Sequence, residues 1–125
     1  MIRISNATFN RDQFKDYIQT LSDNDITIFY FTATWCGPCK YAFPIIEREL
    51  FSLNDYVIEN DLYSSFQIKM IKLDFDANRE VASFLRVRSI PTLVLYVKNE
   101  REYINFSSKE ENIVDFFKHI RTFTQ

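Results

Sequence analysis

Two cysteines at short spacing, Cys36 and Cys39, are the residues of this sequence best suited to chemistry, and the only glycine, Gly37, lies between them. Thiols at this spacing can form half of a metal site, a short structural disulfide or a redox pair, or they can be buried and inert. A zinc site takes about four ligands, whereas the chain offers two thiols and a single histidine, His119, so we expect no metal. A structural disulfide across so short a loop would remove little entropy from the unfolded chain.

The sequence on either side of the pair favours a redox role. The stretch ITIFYFT predicts a buried strand that leads into the cysteines, and a helical pattern begins at Pro38. The unpaired amides and the dipole of a helix N-terminus favour a thiolate, so we expect Cys36 to be the nucleophile and Cys39 to stay protonated until it reacts. We expect Gly37 to leave room for a substrate, Pro38 to fix the backbone and Lys40 to add a nearby positive charge.

Thiol chemistry then predicts a two-step reaction for the pair. The Cys36 thiolate attacks a substrate disulfide and forms a mixed disulfide, and Cys39 then attacks Cys36 and releases the reduced substrate. The pair ends in the oxidised state, so a separate reductant must restore it before another turnover. We expect no cofactor.

The elements that must position the pair follow from the spacing of apolar residues. Helical patterns occupy 11–21 after an Asn10–Gln13 cap, run on from Pro38, follow Asn78, and follow a Ser108–Glu111 capping box. Strand patterns are ITIFYFT, QIKMIKLDF, PTLVLYV and REYINF. Residues 52–65 have weak periodicity, and we interpret them as an irregular insert or a short helix with loops. An α/β fold with a central mixed β-sheet flanked by helices on both faces buries these elements in a single domain over 1–125.

Composition excludes several classes of function. The 125 residues carry a net charge of -2 with lysine and arginine spread along the chain, so no basic stripe for nucleic acid is present. The longest apolar run, ITIFYFTA, is far shorter than the roughly 20 residues needed to cross a bilayer. The N-terminus lacks the apolar stretch of a signal peptide. We therefore expect no binding to nucleic acid or membrane and a cytoplasmic location. A small soluble domain of this type is usually a monomer, and we expect the same here.

Four parts of the sequence together resemble thioredoxin: WCGPCK at 35–40, Pro44, KLDFDAN at 72–78 and SIPTLVLY at 89–96. The resemblance implies the thioredoxin fold, reduction of protein disulfides, and a thioredoxin-reductase-like protein as electron donor. It also implies that Pro91 is a cis-proline beside the cysteines and that the backbone of Ile90 pairs with a bound substrate strand. Trp35, directly before an exposed thiol, would form an apolar docking surface.

The sequence departs from that family at a buried position six residues before the first cysteine. Typical members carry an aspartate there, which is thought to help remove the proton of the second cysteine, whereas this chain has Tyr30. The lysine that usually accompanies the aspartate is present as Lys72. We hypothesise that the Tyr30 hydroxyl contacts Lys72 or a water beneath Cys39 and takes over part of the role; the alternative is that Tyr30 only fills the core.

The residues leave three functions open. The leading one is a protein disulfide reductase. An oxidase or isomerase would differ in redox potential, and the Gly37–Pro38 pair argues for the reducing end by resemblance. A non-enzymatic subunit would use the Pro91 loop and the 52–65 insert as a docking platform, although two intact thiols argue against it. Replacing Cys36 would abolish the first two functions and spare the third.

Overall fold

Five strands form one sheet between four helices in the computed structural model, which describes residues 2–125. The strands are β1 (Arg3–Ala7), β2 (Asp25–Thr32), β3 (Gln67–Asp74), β4 (Thr92–Val97) and β5 (Glu100–Asn105). The helices are α1 (Arg11–Gln19), α2 (Gly37–Glu59), α3 (Arg79–Leu85) and α4 (Glu110–Thr122). The expected α/β architecture is confirmed. None of the helices in residues 2–125 is both long and apolar enough to cross a membrane.

The strand that precedes the cysteines lies at the centre of the sheet. The strand order is β1-β3-β2-β4-β5, with β1, β3 and β2 parallel and with β4 antiparallel to both β2 and β5. The sheet is therefore mixed, as expected. Because β2 has a neighbour on each edge and helices over both faces, its residues are apolar on both sides, which explains why ITIFYFT does not alternate.

Alternate residues of β2 divide the interior into two cores. Ile28 and Tyr30 belong to the core under α2 and α4. Phe29 and Phe31 belong to the core under α1 and α3, where Phe14 is fully buried. Each large apolar side chain buried in this way contributes roughly 1.5–3 kcal/mol. Packing on both faces therefore fixes the end of β2, from which the cysteine loop starts.

Residues 52–65 differ from the expected irregular insert or short helix with loops. The segment continues α2 without a break to Glu59 and forms turns only after it. Leu53 and Val57 are buried one turn apart and continue the buried face that includes Leu50. The irregular-insert alternative is therefore wrong for 52–59. The alternative of a helix with loops is right in the type of element, but the helix is the second half of α2 and not a separate short one. The apolar but exposed Phe51 blurs the helical pattern in the sequence.

The sequence patterns do not predict β1. Its residues, RISNA, are mostly exposed and show no clear alternation of apolar and polar side chains. The strand lies at the edge of the sheet and pairs only with β3, through the parallel register of Arg3 with Lys69 to Ala7 with Leu73. Backbone pairing defines this strand more than side-chain burial does, so hydrophobic spacing gives no signal.

Two asparagines occupy the N-cap positions of α1 and α3, as predicted. The Asn10–Gln13 capping box is confirmed, because the Asn10 side chain accepts from the Gln13 amide over 2.8 Å and the Gln13 side chain accepts from the Asn10 amide over 2.9 Å. Asn78 makes no side-chain cap hydrogen bond. Its amide group instead accepts from the Phe9 backbone over 2.8 Å and donates to the Asp74 carbonyl over 2.9 Å, which ties the chain before α1 to the end of β3.

Two other helix ends differ from prediction. α1 stops at Gln19, short of the predicted range 11–21. The Ser108–Glu111 capping box is wrong, because α4 begins at Glu110 without a side-chain cap. The hydroxyl of Ser107 instead accepts from the amide just before the helix over 3.1 Å. The serine that turns the chain into α4 is therefore one residue earlier than the pattern indicated.

Candidate active site

The two cysteines lie between the end of β2 and the first turn of α2. Their sulfurs are joined in a disulfide, with the Cα atoms 5.2 Å apart. Cys36 is the N-cap residue of α2, as expected, and the backbone amide of Cys39 donates to its Sγ over 3.1 Å. A hydrogen bond to the charged form lowers the free energy of a thiolate, so this arrangement favours Cys36 as the nucleophile once the pair is reduced.

Both cysteines are more buried than the sequence indicated. Cys36 exposes 3% of its surface and Cys39 2%, so the expectation of an exposed Cys36 thiol is wrong for the oxidised protein. Ala33 and Ile90 pack against the disulfide and cover it. Little of either cysteine is therefore accessible from the solvent in the oxidised protein.

Gly37 and Pro38 open α2 on its solvent side, where both are exposed. A Cβ built at Gly37 would meet no atom within 4 Å, so packing does not require glycine there. The predicted role of leaving room for a substrate thus depends on a bound partner and stays a prediction. Pro38 lies in the first turn, where a missing N–H removes no helical hydrogen bond. Lys40 is exposed in the same turn.

The loop before β4 lies against the disulfide. The Ile90–Pro91 peptide bond is cis, as the resemblance implied. The carbonyl oxygen of Ile90 lies 3.8 Å from the Sγ of Cys36. The Thr92 hydroxyl donates to the Ser89 carbonyl over 2.7 Å and closes the loop. These contacts hold a backbone carbonyl beside the sulfur that a substrate must reach.

Trp35 forms an exposed apolar surface next to the disulfide. Its side chain is 63% exposed, and its indole N–H donates to a carboxylate oxygen of Asp76 over 2.7 Å. Asp76 also accepts from Arg79 over 3.0 Å. The indole hydrogen bond, and after it the bond from Arg79, hold the pKa of the Asp76 carboxyl below its usual value. Sequence reasoning missed Asp76 as a site residue, although an exposed indole N–H next to a predicted docking surface invites an acceptor.

Tyr30 and Lys72 are neighbours across β2 and β3, but their polar ends do not meet. The two residues are paired in register. The Tyr30 ring lies parallel to the Phe43 ring with centroids 6.2 Å apart, and Lys72 Nζ lies 4.5 Å from the centre of Phe43. The Tyr30 hydroxyl has no hydrogen-bond partner among the described residues. The hypothesis of a direct contact with Lys72 is therefore wrong, and the hypothesis of a water beneath Cys39 stays a prediction.

The pKa of the Tyr30 phenol depends mainly on its burial. The side chain is only 1% exposed, and burial raises the pKa of its phenol. The nearby Thr32 hydroxyl opposes this rise in the pKa, although it does not reach the Tyr30 oxygen with the distance and angle of a hydrogen bond. Tyr30 is thus a neutral phenol at neutral pH and can donate a proton in a hydrogen bond.

A cleft of about 310 Å³ runs behind Cys39. It is lined by Tyr30, Thr32, Ala33, Thr34, Cys39, Lys40, Phe43, Pro44 and Lys72. The structure therefore brings the second cysteine together with Tyr30 and both lysines expected at the site. Cys36, Trp35 and Pro91 are not among the residues that line this cleft.

Residues 2–125 contain no group of three or more His, Cys, Asp or Glu side chains that could hold a metal ion. The two sulfurs bond to each other. His119 lies on α4, where its ring stacks on Tyr103 at 3.9 Å between centroids and its Nδ1 is 3.0 Å from the Asp115 carbonyl. The thiols and the imidazole therefore do not form a joint site.

Comparisons with known proteins agree with this geometry. A family model described as Thioredoxin matches residues 5–119. Thioredoxin 1 of Synechococcus elongatus is 31% identical over 98 residues, which cover 78% of this chain and 75% of that protein. The bifunctional thioredoxin reductase/thioredoxin of Mycobacterium leprae is 35% identical over 95 residues, which cover 76% of this chain and 17% of that protein. A solved mutant thioredoxin from Halobacterium salinarum is 26% identical, with a TM-score of 0.66 over 98% of this chain and 92% of the other.

Proposed function

The chain belongs to the thioredoxin family, and on this premise we propose that it carries electrons from a thioredoxin reductase to the disulfides of other proteins. It is a thiol-disulfide oxidoreductase with protein-disulfide reductase activity, since it combines the family's domain with a disulfide-bonded Cys36–Cys39 pair. The observation that carries the proposed direction of attack is the 3.1 Å hydrogen bond from the Cys39 amide to the Cys36 sulfur.

The reaction begins with the reduced pair. The Cys36 thiolate attacks one sulfur of a substrate disulfide, the substrate S–S bond breaks, and the leaving sulfur takes a proton. Cys39 then loses its proton and attacks the Cys36 sulfur, so the mixed disulfide breaks and the second substrate thiol leaves. Two electrons pass to the substrate, and the Cys36–Cys39 disulfide forms.

Two surfaces beside the sulfurs fit the docking of a substrate chain. The exposed indole of Trp35 offers apolar area, and its hydrogen bond to Asp76 holds it in place. On the loop before β4, the Ile90 backbone lies beside Cys36 and offers a polar group to an extended substrate strand. Together these features support a protein disulfide as the substrate rather than a small disulfide compound.

The proposed electron donor is a thioredoxin reductase. The protein of Mycobacterium leprae that carries both names joins such a reductase to a thioredoxin in one chain. The oxidised pair needs two electrons per turnover, and a reductase that meets the same Cys36 sulfur can supply them by the reverse exchange. On this proposal the chain takes part in electron transport and in redox homeostasis of the cell.

The proposal includes a cytoplasmic location and a monomeric state. A dithiol that donates electrons needs a compartment whose thiols are kept reduced, as the cytosol is. Two cores enclosed within one chain support the monomer. Cell fractionation with immunodetection tests the location, and light scattering after size-exclusion chromatography tests the oligomeric state.

The decisive experiment couples the protein to NADPH and a thioredoxin reductase, with a disulfide-bonded protein as substrate. We expect NADPH consumption that depends on this protein and disappears in Cys36→Ser. The reduction potential of the pair, titrated in thiol buffers, sets the direction: thioredoxins lie at about -270 mV and disulfide isomerase at about -180 mV, which are general values and not measurements on this chain. A potential near the higher value, or no coupling to the reductase, would contradict the proposal.

A further inference from the structure

The charged residues in the lining of the cleft behind Cys39 are all positive. Its polar side chains are the hydroxyls of Tyr30, Thr32 and Thr34 and the ammonium groups of Lys40 and Lys72. Every one of these groups can donate a hydrogen bond, and two are positively charged. No carboxylate among residues 2–125 lines the cleft. Such a set of donors matches a ligand that only accepts hydrogen bonds.

The Tyr30 hydroxyl is a buried donor without an acceptor. Its side chain is 1% exposed, and the oxygen has no hydrogen-bond partner among the described residues. Burying an unsatisfied polar group is unfavourable, and structures rarely contain one without a reason. The hydroxyl is closed off in this arrangement, so a ligand reaches it only when the partly exposed Phe43 ring that stacks beside it shifts.

Lys72 holds a positive charge that no described carboxylate balances. It forms no ion pair within residues 2–125. Asp74, two residues along β3, instead accepts from the Ala77 amide over 3.0 Å. The ring of Phe43 fixes the ammonium at 4.5 Å from its centre. The charge is thus placed at the cleft wall and available to an anion.

The rest of the lining is apolar, with Ala33, Phe43 and Pro44 as its carbon surface. Ligand sites commonly combine an apolar wall with a few converging polar groups. We propose that this cleft binds a carboxylate carried on a small apolar body. One oxygen lies toward Lys72, the other lies toward Tyr30 once the Phe43 ring has shifted, and the carbon chain lies against Ala33 and Pro44. This site goes beyond the proposed disulfide exchange and is separate from the substrate approach at Cys36.

The test uses the oxidised full-length protein and sodium butyrate as the probe, followed by two-dimensional amide NMR at constant ionic strength. We expect saturable shifts at Thr32, Thr34 and Lys72, with a dissociation constant of about 1–10 mM because so small a ligand gains limited binding free energy. Butyramide has nearly the same shape without the charge and should give no saturable shift. Absence of saturation with butyrate, or equal binding of butyramide, would overturn the proposal.

Variants separate the two anchoring groups. Lys72→Met should weaken butyrate binding about tenfold, because it removes a charge-assisted contact. Tyr30→Phe keeps the ring and should weaken it about threefold, because it removes only a hydroxyl. Lys15→Met is the matched control, since Lys15 also places its ammonium over a phenylalanine ring, 5.9 Å from Phe84, but outside the cleft. Equal affinity of Lys72→Met and Lys15→Met would refute the site.

The carboxylate can come from a free small acid or from an acidic side chain of another protein. N-acetylglutamate N-methylamide presents the same group as a protein side chain does. Tighter binding of butyrate identifies a small acid as the source, and tighter binding of the glutamate derivative identifies a side chain; either result supports the carboxylate site. The titration needs no turnover, so it can fail while the disulfide reductase activity stands, and the reverse also holds.

Discussion

At the scale of single residues, the two sulfurs differ in what surrounds them. Cys36 Sγ accepts from the amide of Cys39 and lies beside the carbonyl of Ile90, on the side of the exposed Trp35. Cys39 lines the cleft on the other side, next to Tyr30. These surroundings support the proposal that the first sulfur meets the substrate and that the second acts from inside the protein.

Replacing one cysteine at a time tests this division. We expect Cys39→Ser to accumulate a stable mixed disulfide with a disulfide-bonded protein, because attack at Cys36 proceeds and resolution cannot. Cys36→Ser should form no such adduct. Intact-mass spectrometry measures the adduct in both variants, and adduct formation through Cys39 in Cys36→Ser would contradict the assigned order of attack.

The hydroxyl of Tyr30 should matter for the second step. When the disulfide opens, the Cys39 sulfur becomes a better acceptor, and the unpartnered phenol in the same cleft can donate to it or to an intervening water. We expect Tyr30→Phe to slow resolution of the mixed disulfide about threefold, since one neutral hydrogen bond contributes roughly 1 kcal/mol or less. Stopped-flow fluorescence of Trp35 follows this step.

The free energy of unfolding of Tyr30→Phe serves as the control for this prediction. Removing an unsatisfied hydroxyl should leave the free energy of unfolding unchanged or raise it by up to about 1 kcal/mol. If resolution of the mixed disulfide is slower while the stability is undiminished, the cause is the loss of the hydroxyl and not damage to the core. An unchanged rate of mixed-disulfide resolution would show that Tyr30 only packs in the core.

At the scale of elements, the length of α2 connects the active site to the core. The helix runs for 23 residues from Gly37 and buries Leu53 completely, far from the cysteines. We expect Leu53→Ala to destabilise the protein by about 2–5 kcal/mol, because it leaves a cavity between α2 and the sheet. Urea unfolding followed by circular dichroism measures the change.

Phe51→Ala is the control on the same helix. Phe51 is 70% exposed, so its loss should change the free energy of unfolding by no more than about 0.5 kcal/mol. If both variants unfolded at the urea concentration of the parent protein, residues 52–59 would contribute nothing to the core, as in an irregular insert.

The two misjudged elements show which signal the sequence lacks. β2 could be predicted because it is buried on both faces and reads as a continuous apolar run. β1 could not be predicted, because backbone pairing holds this edge strand and its side chains can therefore be polar. The second half of α2 could not be predicted, because exposed apolar side chains such as Phe51 obscure the helical spacing of the buried apolar side chains.

Some features of the candidate site could be predicted from the sequence, and others could not. The N-cap position of Cys36 follows from a strand that ends and a helix that begins, and both were visible in the sequence. The cis bond before Pro91 came only from the resemblance. Neither route indicated that Asp76 holds the indole of Trp35, because this contact joins residues of different elements. Neither route indicated that the Tyr30 hydroxyl lacks a partner among the described residues, because that depends on the packing of its neighbours.

At the scale of the whole molecule, the sheet separates two cores, and each contains a buried tyrosine. Tyr30 lies in the core under α2 and α4, and Tyr96 in the core under α1 and α3. Burial raises the pKa of both phenols, with Arg101 opposing the rise at Tyr96 and Thr32 opposing it at Tyr30. Each core therefore holds a group that resists losing its proton while the protein is folded.

This arrangement predicts a loss of stability in alkali. The folded pKa of each phenol lies above the value of about 10 for an unfolded chain, so the contribution to stability is complete below pH 10 and is lost as the pH rises through the folded pKa. Above pH 10 the unfolded chain has released protons that the folded chain keeps, and unfolding becomes more favourable. We expect the urea midpoint to fall steeply above pH 10 in the parent protein.

Removing the two buried phenol hydroxyls should reduce the loss of stability in alkali. The double variant Tyr30→Phe with Tyr96→Phe has no buried phenol to ionise, so its urea midpoint should fall less between pH 9 and 11, while Tyr41→Phe, at an exposed position of α2, should follow the parent. Ultraviolet absorbance of phenolate identifies the same groups, since in the parent protein part of the signal should appear only together with unfolding. An identical alkaline slope in parent and double variant would show that other groups govern the loss of stability, and that the two cores do not depend on keeping these tyrosines neutral.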